Sequence, residues 1–508
     1  MEFEKLYDLT FPLTEDSTAL YIQGNYRNRD EGGIYIDKGE CADLGTYFNL
    51  FSLKKWTAYT SIELLKIKLN LQGSFYVEMY GMSNKNLNET FLRTTCENSF
   101  ETILNIKDIN FKYEFDLIGI KLVALSDGAI FQGGDYQGTF NSSQNVRIGI
   151  TICTFKREKY LLPNLNSLQK LIKRNANYSV MVIDNGRTLT ENESPIFQII
   201  HNPNFGGAGG FTRGLIEQVS QGRNTHTILM DDDIMIELSV FDRLYSMLRH
   251  LKPEYQEKFF AGSMLVLDKP AIQFENTAYW DMTYPCACGY KYDLSEKEFL
   301  CQNEQIPDVK NHYAGWWFCC IPLEVVKKIG YPLPNFIKGD DVEYGIRNNK
   351  NILSINGIGV WHESFEKKLT NLVMQYFDDR NMILVTHFAN GCGRLDFLKM
   401  CIKRIITRIR LHDGDGIRVL ELALKDLNSG LYKIVSVKSD EKFDELRKYP
   451  FKKTAGKNVY RAIISSSLSA LFHFLRFGHY TKECRRFREE KLKTQSFWRQ
   501  FLGLNDEL

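Results

Sequence analysis

His226-Thr-Ile-Leu-Met-Asp-Asp-Asp233 decides how this chain reads. The run from His226 to Met230 has the length and apolar character of a short buried strand, and it delivers three carboxylates at its C-terminal tip. Adjacent acidic side chains repel one another, so without a cation the arrangement costs stability. A hard divalent cation reverses that sign, because carboxylate oxygens hold Mg2+ or Mn2+ while substrate phosphates complete the shell. Two later stretches answer the triplet: Lys338-Gly-Asp-Asp-Val-Glu343, and Trp361-His362-Glu363 at the end of another apolar run. An acidic triplet at a strand tip, a second acidic cluster and a strand-tip histidine together point to metal-assisted transfer from a nucleotide diphosphate.

Outward from the triplet the texture is alternating strand and helix. Val146 to Phe155 reads as a strand, Tyr160 to Arg174 as a helix and Ser179 to Ile183 as a strand ending at Asp184-Asn-Gly. Phe197-Gln-Ile-Ile200 leads into the glycine-rich loop Asn204-Phe-Gly-Gly-Ala-Gly-Gly-Phe211. Such alternation predicts a mainly parallel α/β sheet whose ligands bind beyond the C-terminal strand ends. Thr154, Arg157, Asp184, the glycine loop and the triplet all fall there. The loop is not a P-loop, since no Gly-Lys-Ser/Thr follows, and dinucleotide spacing is not met. It reads either as a tight strand-to-helix turn or, beside the triplet, as the backbone of a nucleotide-sugar pocket through Asn204, Gly206 and Gly207.

The second cluster has two readings. Asp340, Asp341 and Glu343 suit the first turn of a solvated helix. They also suit sugar transfer with inversion, where one carboxylate within hydrogen-bond reach takes the proton of the attacking hydroxyl. His362 is either a buried structural histidine or a third metal ligand, for which mixed oxygen and imidazole ligation favours Mn2+. Trp316-Trp317 belongs to a core by default, yet adjacent rings point in different directions, so one of them is expected to line the pocket and stack on sugar.

The flanks differ from this centre. Residues 1–145 carry short apolar runs (Ala19 to Ile22, Ile62 to Leu69, Ser74 to Met79, Leu117 to Val123) between Gly, Asn and Asp, the pattern of a β-sandwich or barrel. Its aromatics, among them Tyr21, Tyr26, Tyr35, Tyr47, Phe48, Phe51 and Trp56, either fill a β core or form a sugar-binding face. Residues 391–508 read as helical and basic, with 25 Lys+Arg against 14 Asp+Glu, or +11, leaving −9 for the chain before them. Leu398 to Arg410 and Ala462 to Phe477 are amphipathic, so this region is either a helical cap on the enzyme core or a surface lying on anionic lipid. The catalytic part is then residues 146–390.

The start, Met1-Glu-Phe-Glu-Lys-Leu-Tyr-Asp8, has no basic n-region and no apolar h-region. No stretch of about 18 apolar residues occurs. Eleven cysteines without framework spacing fit a reducing compartment, and Cys286-Ala-Cys288 with Cys301 lacks a zinc-site spacing and a fourth ligand. The cytoplasm is the expected location, with the inner face of the cell membrane as the surface a basic C-terminal region would meet.

The set Thr154-Phe-Lys-Arg157, Asp184-Asn185, Asn204 to Phe211, Met230 to Asp233, Trp316-Trp317, Lys338-Gly-Asp-Asp341, Trp361-His362 and Tyr376-Phe-Asp-Asp-Arg-Asn381 resembles the polymerising galactofuranosyltransferases, GT-A enzymes of glycosyltransferase family 2. The match runs from about Val146 to Asn390; Gly45 to Asn49 extends it into the β-rich region, and the C-terminal helices match only in character. The resemblance implies UDP-galactofuranose as donor and a glycan or glycolipid as acceptor. It implies Asp231, Asp233 and His362 as ligands of Mn2+ or Mg2+, and Asp341 as general base. Arg157 and Asp184 would meet the uridine, with Asn204, Gly206, Gly207 and Asp232 also on the donor side. Asp340, Lys338, Trp316 and Trp317 would face the acceptor. Gly339 departs from the family, which can carry a large aromatic there. Two other readings are a GT-A transferase of another UDP- or dTDP-sugar and a non-catalytic carbohydrate-binding protein, against which the intact Asp231, Asp233 and Asp341 argue. A two-metal nuclease is disfavoured because the acidic sheet region lacks a basic groove, so no nucleic acid is expected. Homo-oligomerisation is left open.

Overall fold

The computed structural model describes residues 2–29, 32–190, 197–364, 371–436, 439–448 and 457–504. The expected α/β sheet is its centre. Six strands run in the order Phe197–His201, Tyr178–Asp184, Ile148–Thr154, His226–Asp231, Phe318–Pro322 and Phe260–Ala261. The first four are mutually parallel and the last two antiparallel to their neighbours. Strand Ile148–Thr154 is buried along nearly its whole length, as an interior parallel strand covered on both faces must be. From it the chain steps outward twice on one side, then returns to place His226–Asp231 on the other. That reversal of strand order opens a crevice at the C-terminal ends of the two adjacent strands, where Thr154 and Asp231 stand.

Helix Glu158–Arg174 covers one face through Leu161, Leu165, Leu168 and Leu171, at the spacing expected of one helical stripe. Helix Gly206–Gln221 is buried along most of its length. A smaller sheet pairs Ile234–Ile236 antiparallel with Gly359–His362, and so carries the chain directly from the triplet to the histidine.

The N-terminal region is strand-rich as expected, and its strands are hydrogen-bonded into one nine-stranded sheet. Two runs read as separate strands are one, Ile62–Met82, which pairs with Ala129–Phe140 up to Gln72 and with Leu117–Ala124 from Phe75. Gly73, with φ +91°, marks the change of partner. Ala19 to Ile22 is no strand: Glu15–Leu20 forms a 3-10 helix fixed by reciprocal bonds between Thr14 and Ser17, and Leu20, Tyr21 and Ile22 are buried without a ladder.

The aromatics Tyr21, Tyr47, Phe48, Phe51 and Trp56 are all buried, as core residues. They join this region to the α/β one: Phe48 lies 5.6 Å from Trp361, the Tyr21 hydroxyl donates to Glu237 at 3.0 Å, and Arg243 stacks over Tyr7 at 3.9 Å. The C-terminal region is helical, with Arg394–Arg410, Gly414–Asn428, Ser439–Lys448 and Lys457–Phe487 as its main members. It packs on the catalytic region through Phe397, Leu420, Leu424 and Trp498, whose indole donates to the Pro332 carbonyl at 2.9 Å. All eleven cysteines are free thiols.

Candidate active site

The strand register delivers Asp231 beside Cys153, and Thr154, one residue on, donates its hydroxyl to Asp232 at 2.6 Å. Arg157, just past the same strand, places Nη1 3.2 Å from Asp232 and 2.7 Å from Asp233. Asn164, two helix turns further and buried, donates to the carbonyls of Asp232 and Ile234 and so fixes the backbone of the triplet. Burial pushes the Asp232 carboxyl up, against the opposing pull of Thr154 and Arg157.

His362 completes the arrangement. Its register opposite Ile234 brings Nε2 to 3.2 Å from Asp233 and 3.7 Å from Asp231. Ligand atoms of Asp231, Asp233 and His362 all lie within 4.8 Å of one another. His362 Nδ1 stands 2.6 Å from the Glu363 carbonyl, an acceptor, so it must carry the proton. Nε2 then turns either a lone pair or a second proton towards two carboxylates. Burial alone would lower this imidazole, but Asp233 and Asp231 outweigh it and raise its pKa. Two carboxylates and an imidazole with its backbone-bound nitrogen on the far side form a donor set that fits a divalent cation.

These groups open into a cavity of about 700 Å3 lined by Thr154, Arg157, Asn185, Asn204, Gly206, Gly207, the triplet and His362. Gly206 has φ +68°, and a Cβ there would lie 2.0 Å from the Phe336 carbonyl oxygen, so the close approach requires glycine. That carbonyl accepts from the Ala208 amide at 3.2 Å and ties the glycine loop to the segment carrying the second acidic cluster.

Asp340 and Asp341 open the helix Asp340–Asn348. The turn before them is unusual, for Phe336, Lys338 and Gly339 have φ of 73°, 64° and 77°. The amide of the buried Asn381 lies 3.1, 2.8 and 2.8 Å from the carbonyls of Asn335, Ile337 and Lys338, and Arg380 donates to Asn335 at 2.9 Å. Arg380 also donates to the Asn381 side-chain oxygen at 2.9 Å, which orients the amide. Burial and then the Asp341 charge push the Asp340 carboxyl up to about 8, while burial lifts Asp341 to about 6. Both carboxyls are therefore drawn towards the protonated form, and they titrate as a pair. A Cβ on Gly207 would lie 3.8 Å from Asp340 Oδ2, so Asp340 faces the glycine loop, while neither Asp340 nor Asp341 lines the 700 Å3 cavity. At Gly339, where φ is +77°, a Cβ would lie 3.2 Å from the Met382 methyl, which would have to shift slightly to admit it.

Other expected site residues sit differently. Asp184 is fully buried and accepts from the amides of Gly186, Thr188 and Leu189, so its carboxylate shapes its own loop while Asn185 reaches the cavity. Trp316 and Trp317 are both buried and neither lines the cavity. Trp316 packs edge-on to Phe211 and Tyr344, and the Trp317 indole donates to the Gly262 carbonyl. Lys338 reaches towards Asp378 at 3.5 Å. Asn164, Asn185, Phe336, Asn381 and the helix wall Phe443, Asp444 and Arg447 were not assigned from sequence. Only Asn185 and Asn381 carried a signal, as members of the family motifs.

Residues 146–375 match the family described as glycosyltransferase like family 2. Its curated relatives include galactofuranosyltransferase GlfT2 of Mycolicibacterium smegmatis, 26% identical over 471 residues, covering 83% of this chain and 70% of the relative. GlfT2 of Mycobacterium tuberculosis is 25% identical over 429 residues, covering 77% of this chain and 66% of its own. Among solved structures, Staphylococcus aureus TarS 1–349 in complex with UDP aligns over 68% of this chain and 91% of that one, at 12% identity and a TM-score of 0.37.

Proposed function

We propose that the chain is an inverting GT-A galactofuranosyltransferase that moves galactofuranose from UDP-galactofuranose to a hydroxyl of a glycan acceptor, and that it depends on a divalent cation. The observation that carries this reading is the convergence of Asp231, Asp233 and His362 within 4.8 Å at the mouth of a 700 Å3 cavity, in a chain homologous to galactofuranosyltransferases. Asp341 takes the acceptor's hydroxyl proton as its oxygen attacks the anomeric carbon, and the diphosphate leaves from the opposite face, which inverts that centre. Arg157 holds the carboxylates of Asp232 and Asp233 in place, and Asn204 and the glycine loop allow the donor to approach the backbone. Mn2+ or Mg2+ held by Asp231, Asp233 and His362 would neutralise charge developing on the leaving diphosphate. Incubation with UDP-galactofuranose, Mn2+ and synthetic acceptors, read by product mass and linkage, tests the assignment; transfer from another nucleotide sugar in preference would replace the donor.

The acceptor is proposed to be lipid-linked and the protein to sit on the inner face of the cell membrane. No helix among the described residues is long and apolar enough to cross a membrane. Helix Lys457–Phe487 instead leaves Tyr460, Ile464, Leu468, Leu471 and Leu475 exposed in a stripe at helical spacing, beside the exposed cations Arg461 and Arg476. Apolar side chains flanked by cations suit the interface of an anionic bilayer. Co-sedimentation should be several-fold greater with anionic than with neutral vesicles and should weaken with salt; equal sedimentation with both would remove the electrostatic part.

A further inference from the structure

One wall of the donor cavity comes from the C-terminal helices. Helix Ser439–Lys448 is seated by Leu446, buried against Val373, Phe377 and Val419, and by Phe443, whose ring lies 5.8 Å from Phe336 and 6.3 Å from Phe377. Phe336 is the residue whose carbonyl caps the glycine-loop helix at Ala208. The seating turns Phe443, Asp444 and Arg447 to the cavity that the triplet lines.

The charges of that cavity are lopsided. Its described lining includes Asp231, Asp232, Asp233 and Asp444 against two Lys or Arg side chains, Arg157 and Arg447. Arg157 is held by Asp232 and Asp233. A cation bound by Asp231, Asp233 and His362 balances the triplet, but a nucleoside diphosphate then brings further negative charge. Arg447 is exposed, rests 5.9 Å over the Phe443 ring and forms no ion pair among the described residues. A guanidinium presents paired donors suited to phosphate oxygens.

We propose that Arg447 binds the diphosphate of the nucleotide-sugar donor, so that the C-terminal helices complete the active site as well as capping it. This rests on the donor reading above.

The test uses the full chain with Mn2+, titrated with UDP and, in competition, with uridine. Arg447→Ala should weaken UDP binding about tenfold, as loss of a charge-assisted bond at a partly solvated site does, and leave uridine competition unchanged. Arg447→Lys should keep part of the affinity, and Arg410→Ala, on another helix of the same basic region, should match wild type. Equal UDP affinity in wild type and Arg447→Ala overturns the inference. Parallel loss of UDP and uridine does so too, since that reports a damaged wall. A wild-type chain that binds no UDP with Mn2+ present overturns the donor reading itself, and the role of Arg447 with it.

Discussion

The two acidic clusters share one region of the molecule and are built by opposite means. Asp231, Asp232 and Asp233 emerge from a regular parallel strand, and their place follows from ladder register with Cys153 on one side and from Ile234 opposite His362 on the other. Asp340 and Asp341 follow a turn with three left-handed residues, two of them not glycine, and no ladder supports it. Non-glycine residues in that region cost roughly 1 kcal/mol or more each, so the turn persists only where its surroundings over-determine it. Here Arg380 and Asn381, from a separate helix, grip its carbonyls. A cation site tolerates the partly solvated end of a sheet. A base whose pKa is lifted towards neutrality needs burial, and burying an irregular backbone requires side chains to satisfy it.

The largest effect should come from the regular cluster. Chelation of divalent cations is expected to abolish transfer, measured as released UDP, with Mn2+ or Mg2+ restoring it; full activity in excess chelator would break that half of the contrast. Asp341→Asn comes next. It keeps the side chain's shape but cannot accept the proton, so turnover should fall by roughly two orders of magnitude or more while UDP affinity with metal changes little. Asp233→Asn should weaken both, and the divergence between these two equal changes of charge is the sharpest measure of separate roles. Near-normal turnover of Asp341→Asn at saturating substrates would move the base to Asp340.

Asn381→Ala addresses the brace. It leaves the carbonyls of Ile337 and Lys338 without their side-chain partner, while Arg380 still serves Asn335, so unfolding stability should drop by about 2 kcal/mol. Turnover should fall about tenfold through misplacement of Asp341, with UDP affinity nearly kept. A variant that loses stability but keeps turnover would show that the turn holds its shape unaided.

The smallest effect is a matter of pH. As the proposed base, Asp341 would act only when ionised, and its pKa is raised to about 6, so activity should be present above that value and fall as pH drops through it. An acid limb near pH 4 in kcat/KM would mean that burial does not act on this carboxyl in the working enzyme.

Much of the catalytic region was determined by the sequence alone. Apolar runs of strand length, leucines at helical spacing and polar residues clustered at strand ends set out the parallel sheet and its ligand edge, because these patterns follow from backbone periodicity and hold locally. The triplet was legible for the same reason, since three carboxylates after a buried strand have one economical explanation. Tertiary structure decided the rest. His362 joins Asp231 and Asp233 only because Gly359–His362 pairs with Ile234–Ile236. The role of Asn381 depends on which turn its helix packs against. Trp316 and Trp317 are drawn into the core by neighbours distant in sequence, and Arg447 reaches the cavity because Phe443 and Leu446 seat its helix on Phe336, Phe377 and Val373. Each of these depends on non-local packing, which is set by the shape and burial of many side chains at once and leaves no period in the sequence to read.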